Sequence, residues 1–375
     1  MTRRNKKKMS TKKHKTRNRR NPLWNGGDDG GDGNVQNLRA DVVEKNPRVY
    51  QELNRNIKKT VRNPVTNKRK ITPKEGAKPK AKPFVGLNCS PTVKGKQVLK
   101  ESCLTGSVLI QIRNEYNKDH PTQKITTSNY KKLWIELYNR LTECQTESCW
   151  LEQIDNPSLR DKIKNEIFAP KHPKEWQKNP NEWLSNIDIM KVLKQYEQKY
   201  PKFKLLGPST IDFDLRPSEM GGRCVSNDIC NMSLNDLSRQ GKTKIAIVFN
   251  LDKYTGGGTH WMSAFIDLDE KFVYYFDSAA NPIPKEIKVL INRLKKQALG
   301  LRPAPIQLKY YTNVPKNHQS SSSECGMYSL FFIITMLTGE TEFDQSLTIQ
   351  EKLNLFSNAR IPDKYVEKYR QKYFN

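Results

Sequence analysis

The chain is 375 residues long and carries 66 Lys and Arg against 39 Asp and Glu, a formal charge of +27. That length allows one large or two small domains, and the basic excess favours a polyanion among the partners. The longest apolar run, residues 330–337, is far short of the roughly 20 residues a membrane span needs. No apolar segment follows the basic N-terminus, so neither a secretory signal nor a membrane role is expected, and synthesis belongs in the cytosol.

The charge is unevenly spread. Residues 1–82 hold about 25 Lys and Arg against 7 Asp and Glu, close to +18 of the total, which reads as a basic, largely disordered tail. Residues 1–22 are a near-continuous cationic run without interleaved aromatics. That run fits a solvated tail, a nuclear-localisation signal or a nucleic-acid tether working through backbone electrostatics. Asn25-Gly26-Gly27-Asp28-Asp29-Gly30-Gly31-Asp32-Gly33 is a flexible acidic break. A weak helical pattern runs over 34–60, and 61–82 is Lys/Pro-rich linker.

Residues 83–165 read as a helical arm. Gly106 to Tyr116 forms a helix with Val108, Leu109, Ile112 and Tyr116 on one face, 121–127 is an extended loop, and Asn129 to Leu141 is a second helix. This order is loosely similar to SAP-type DNA-binding modules and also fits a packing or substrate-positioning arm. The seven cysteines of a cytosolic chain are expected as reduced thiols. The alternative for Cys89, Cys103, Cys144 and Cys149 is a four-thiolate zinc site; no metal is assigned.

Residues 166–375 carry the body. Ser185 or Asn186 caps a helix running through Val192 to Tyr200, and Leu205 to Phe213 is extended. Lys242 to Phe249 is the strongest candidate for a central strand. Met262–Leu268 and Phe272–Phe276 are strands joined by the polar turn Asp269-Glu270-Lys271. Lys285 to Ala298 is an amphipathic helix, Gln307 to Thr312 a strand, and 340–375 mostly helical. Helix, strands, helix, strand, helix indicates an α+β fold.

The chemistry lies between Thr255 and Met336. His260 precedes one strand of the hairpin and Asp277 follows the other, so both sit at one end of the sheet. An Asp there can orient a His as general base. Cys325 opens the apolar run that ends at Leu337, and a thiol at a helix N-terminus gains stabilisation of its anion from the free N–H groups. Gly326 is expected to keep that helix start open to substrate. Gln319, six positions before Cys325, is placed to join the Cys325 N–H in binding an oxyanion. His14, His120, His172 and His318 are weaker bases by context: a charge run, two following prolines, and crowding against Gln319.

His260-Trp261, Asp277 seventeen positions on and Gln319 six before Cys325-Gly326 resemble the cysteine protease superfamily that processes ubiquitin-like proteins, with its SUMO-deconjugating and adenovirus-proteinase branches. The likeness extends over roughly 180–375. It is closest to the branch carried by large nucleocytoplasmic DNA viruses, of the African swine fever virus polyprotein protease type. It implies a papain-like, adenain-like core, catalytic roles for His260, Asp277, Gln319 and Cys325, and no obligatory cofactor, with DNA as a possible non-covalent one. Trp183-Leu184-Ser185-Asn186 resembles the superfamily's Trp-Leu-Asn-Asp segment, with Ser-Asn in place of Asn-Asp. It implies that Trp183 and Trp261 flank a slot for a Gly-Gly substrate.

Three functions remain open on the sequence. The first is an endopeptidase acting after Gly-Gly in viral core polyproteins during virion maturation, in the virus factory of the host cytoplasm and the virion core. The second is an isopeptidase removing ubiquitin-like modifiers. The third is a DNA-binding core protein with an inactive protease fold. The His260, Asp277, Gln319 and Cys325 set speaks against the third. The tail and arm favour the first. The tail itself contains two Gly-Gly-Asp sequences, ending at Asp28 and Asp32, as candidate self-processing sites.

Overall fold

The computed structural model describes residues 84–342 and 346–375. The expectations for the tail and for a helix over 34–60 lie outside them. Three longer helices build the N-terminal part. The first, α1 (Gly106–Asp119), starts where the Thr105 side chain accepts from the Val108 N–H. The second, α2 (Tyr130–Arg140), starts where Asn129 accepts from both Lys131 and Lys132. The third, α3 (Pro157–Ile167), has Pro at its first position and Asn156 as its cap. Such caps satisfy amide groups that a helix leaves without internal partners. The apolar faces close over a common core in which Phe84, Trp134 and Trp150 touch ring to ring.

The cysteines correct the sequence reading. Six of the seven are paired: Cys89 with Cys103, Cys144 with Cys149 and Cys224 with Cys230. The Cα separations of 5.1, 5.5 and 6.3 Å lie within the span of a disulfide. The four candidate zinc thiolates are used up two by two, and among the described residues no group of His, Cys, Asp or Glu is arranged to hold a metal ion. Spatial approach decides this, and cysteine spacing alone does not reveal it.

The C-terminal part is a five-stranded sheet between two helical layers. Helix α4 (Asn186–Lys199) begins with a capping box, the Ser185 side chain and Asp188 serving each other's backbone N–H groups. The strands are β1 (Phe203–Thr210), β2 (Lys244–Asn250), β3 (Trp261–Asp267), β4 (Phe272–Phe276) and β5 (Lys309–Thr312), in the order β1-β2-β3-β4-β5. The two outer pairings are parallel and the β2–β3 and β3–β4 pairings antiparallel. The middle position therefore falls to β3, and β2 is its interior neighbour. Every residue of β3 and β4 is buried, as expected for strands covered on both faces.

Helix α5 (Lys285–Leu299) covers one face through Ile287, Leu290, Ile291 and Leu294, against Ile245, Ile247, Met262, Ala264 and Tyr275. On the other face lie α4 and α6 (Cys325–Thr338), against Ala246, Val248, Phe265 and Tyr274. Residues Cys325 to Met336 of α6 are all buried, which explains why its sequence is apolar all round rather than striped. Further on come α7 (Ile349–Ser357) and two short helices, Asp363–Glu367 and Arg370–Tyr373. They fold back over α6, with Phe331 against Phe356, Tyr365 and Tyr369. Among the described residues no helix is long and apolar enough to cross a membrane.

Candidate active site

The β3–β4 hairpin sets two of the groups. His260 is the residue before β3 and Asp277 the residue after β4, so the antiparallel pairing that ends at Ser263 and Phe276 leaves both at one edge. His260 Nε2 and Asp277 Oδ1 are 2.6 Å apart. Asp277 is fully buried and held on every side. The Ala279 N–H donates to Oδ1 at 2.8 Å and the Asn281 amide to Oδ2 at 3.1 Å. Asn313, just past β5, accepts from the Asp277 N–H at 3.0 Å and donates to its carbonyl at 2.6 Å. The Cys325 thiol interacts with the same ring. Burial pushes the imidazole down, but the Asp277 hydrogen bond, then the Cys325 contact and the charges of both, outweigh it and raise the ring to about 10. The ring therefore binds a proton strongly beside Cys325.

Cys325 is the first residue of α6 and, among the described residues, the one free thiol. The N–H groups of Cys325, Gly326 and Met327 find no acceptor among the described residues, as the first turn of a helix leaves them. They provide donors for an anion at the thiol or at a substrate oxygen. The role expected for Gly326 changes. A Cβ there would stand 3.1 Å from Leu184 Cβ and 3.3 Å from Trp261 Cδ1. Its bareness therefore lets Leu184 and Trp261 close against the helix start, rather than leaving the helix open.

Gln319 lies in the loop leading to Cys325 and is nearly buried. Its side-chain oxygen accepts from Ser278 Oγ at 2.7 Å and its amide donates to the Ser321 carbonyl at 2.6 Å. The His318 and Gln319 N–H groups both donate to the Ser278 carbonyl. The loop is thus tied to the residue after Asp277, while the Gln319 amide is spent within its own loop.

Trp183 and Trp261 line the same cleft of about 870 Å³, with Gly256, Gly257, Gly258, Ser185 and Lys191. Trp183 is 37% exposed and Trp261 only 7%. The Trp261 indole N–H donates to the Leu184 carbonyl at 2.9 Å, which fixes one ring relative to the segment bearing the other.

Sequence reasoning missed the supports. Asn313 and Asn281 follow elements that could be read, but nothing in their neighbourhood marks them as partners of Asp277. His318, set aside as a base, is fully buried. Its Nε2–H donates to the Phe356 carbonyl at 2.9 Å and its Nδ1 accepts from the Ile361 N–H at 3.1 Å. Asp363 accepts from the Ser320 and Ser321 N–H groups and the Tyr328 hydroxyl. The C-terminal helices thereby clamp the loop that carries Gln319 and Cys325.

Residues 240–375 match the Ulp1 protease family, C-terminal catalytic domain. This region is a Ulp1-like cysteine protease domain. Over 212 residues the chain is 32% identical to a protein of Acanthamoeba polyphaga mimivirus named as a putative thiol protease, covering 55% of this chain and 65% of that relative. Over 276 residues it is 26% identical to a cysteine protease of African swine fever virus, covering 68% of this chain and 93% of the relative. The crystal structure of an African swine fever virus protease overlays with a TM-score of 0.51 at 20% identity, over 77% of this chain and 96% of that one, a likeness of fold. The matched region supplies β2 to β5 and α6, and with them the hairpin and helix that bring His260, Asp277 and Cys325 together.

Proposed function

We propose that the chain is a cysteine endopeptidase that cleaves after Gly-Gly in viral core or structural polyproteins during virion maturation. The observation carrying this reading is the meeting of a free thiol at a helix N-terminus with His260 and its buried partner Asp277, beside a cleft lined by two tryptophans. In the reaction, the Cys325 proton passes to His260 and the thiolate adds to the scissile carbonyl. The Cys325 N–H, aided by Gln319 once its amide turns from Ser321, holds the oxyanion. His260 then protonates the departing amine, and water, deprotonated by the same ring, hydrolyses the thioester. Asp277 fixes the ring and stabilises its cationic form. A slot between Trp183 and Trp261 selects residues without a Cβ on steric grounds.

The second reading, removal of ubiquitin-like modifiers, uses the same machinery; it is favoured by the name "SUMO-1 cysteine protease" borne by relatives from African swine fever virus isolates. Residues 1–22 serve nucleic-acid tethering in this proposal, with the action in the virus factory and virion core. The purified chain, offered Gly-Gly-X peptides, ubiquitin-like adducts and duplex DNA beside its Cys325→Ser variant, tests it. Faster turnover of Gly-Gly-X than of Gly-Ala-X peptides, lost in the variant, is expected. Cleavage of adducts alone supports the isopeptidase, and DNA binding without any cleavage supports the inactive core protein.

A further inference from the structure

The residue before the nucleophile is a buried acid. Glu324 is the N-cap of α6, yet its side chain makes no capping bond. Its backbone is already helical, and an unpaired carboxylate at that place would set a negative charge beside an anion at Cys325. Glu324 is fully buried and paired with an arginine. Arg370 Nε donates to its Oε2 at 3.1 Å and Arg370 Nη2 to its Oε1 at 2.7 Å. Arg370 is itself nearly buried. Its Nη1 donates to the Glu182 carbonyl at 2.9 Å, its Nη2 reaches the Asn181 carbonyl at 3.4 Å, and its guanidinium lies 4.5 Å over the Trp176 ring. The Trp176 indole N–H donates to the same Glu182 carbonyl at 2.9 Å. One cation therefore holds both the residue before Cys325 and the backbone before Trp183.

We infer that Arg370 is a positioning residue with two tasks: it holds the Glu324 carboxylate and cancels its charge, so that the field at Cys325 serves the thiolate, and it fixes the Trp183 wall relative to the nucleophile. The second task rests on the reading of Trp183 as substrate wall; the first does not. Facing Cys325 is His260, backed by Asp277. Glu324 precedes Cys325 and pairs with Arg370, and Asp363, Glu367 and Tyr328 are the titratable groups that interact around that pair. Of these only Glu324 is adjacent to the thiol in the chain, and only Arg370 pairs with it in both oxygens.

The test compares the full-length protein with Glu324→Gln and with Glu324→Gln/Arg370→Gln, in which two neutral amides can still pair. The pH dependence of Cys325 alkylation by iodoacetamide, followed on the Cys325 peptide by mass spectrometry, needs no substrate. Glu324→Gln leaves the Arg370 charge uncancelled near the thiolate, and its midpoint should fall by about one pH unit. The double variant should return to within about 0.3 unit of wild type. An unchanged or raised midpoint in Glu324→Gln, or no return in the double variant, overturns the electrostatic task. With a Gly-Gly peptide, KM should rise in the double variant, where the Asn181 and Glu182 carbonyls lose Arg370, and stay near wild type in Glu324→Gln. Equal KM in all three overturns the wall-fixing task. Failure of the Gly-Gly reading shows separately, as the absence of any preference for Gly-Gly over Gly-Ala in the wild-type protein.

Discussion

Acid should loosen the site through His318. This ring is fully buried, donates to the Phe356 carbonyl and accepts from the Ile361 N–H. It is therefore the neutral tautomer with its proton on Nε2. Burial pushes it down to about 4, with Lys316 and Arg360 adding to the effect and the Phe356 bond opposing it. The unfolded chain binds a proton near 6.5, so between those values the unfolded state holds more protons than the folded one. Stability from this group is then full above 6.5, falls as pH drops towards 4 and is flat below. The gap of about 2.5 units, at 1.36 kcal/mol each, makes the loss about 3 kcal/mol. Urea midpoints at pH 7, 5.5 and 4 for wild type and His318→Gln would measure it, since the difference between the two proteins cancels every other titrating group. The wild type should lose about 3 kcal/mol more than the variant over that range. Parallel curves for the two proteins would refute the assignment of a neutral, buried His318.

His260 runs the other way. Its ring is raised to about 10, so its contribution to stability is full below 6.5 and lost as pH rises through about 10. The alkaline limb of kcat/KM should accordingly lie near 10, and a limb near 6.5 would contradict the raised imidazole. Cys325→Ser and His260→Ala should each cost on the order of 10⁴-fold in kcat/KM with unchanged circular dichroism, and Asp277→Asn less. Gly326→Ala should cost about 1–3 kcal/mol in urea unfolding by pressing on Leu184 and Trp261, together with a raised KM for Gly-Gly peptides; no change in either would remove the close-packing argument. Removing the Cys89–Cys103 bond, which closes a segment with a separation of 14 residues, should lower stability by about 3 kcal/mol, read as a shift in the thermal midpoint of Cys89→Ser/Cys103→Ser against the wild type.

How much of this was legible beforehand follows from the range of the interactions. Asn129 and Ser185 cap their helices through bonds to residues two or three positions on, and such local chemistry is written in adjacent letters. The hairpin is equally local, since a four-residue span joins β3 to β4 and delivers His260 and Asp277 to one edge. Cys325 was visible because the run it opens is apolar all round, the mark of a helix buried on every side.

The tertiary structure alone decided the rest. Asn313 reaches Asp277 across 36 residues, His318 reaches Ile361 across 43, and Arg370 reaches Glu324 across 46 and Glu182 across 188. None of these has a periodicity, because a single polar contact between distant segments leaves no repeat to read. The same holds for the cysteines: composition and compartment argued for reduced thiols, whereas pairing depends on Cα atoms coming within a few ångströms. Gly326 shows the limit most sharply. In the sequence its lack of a side chain suggests openness towards substrate, but the reason lies in Leu184, 142 positions away, whose Cβ would stand 3.1 Å from a Cβ at position 326.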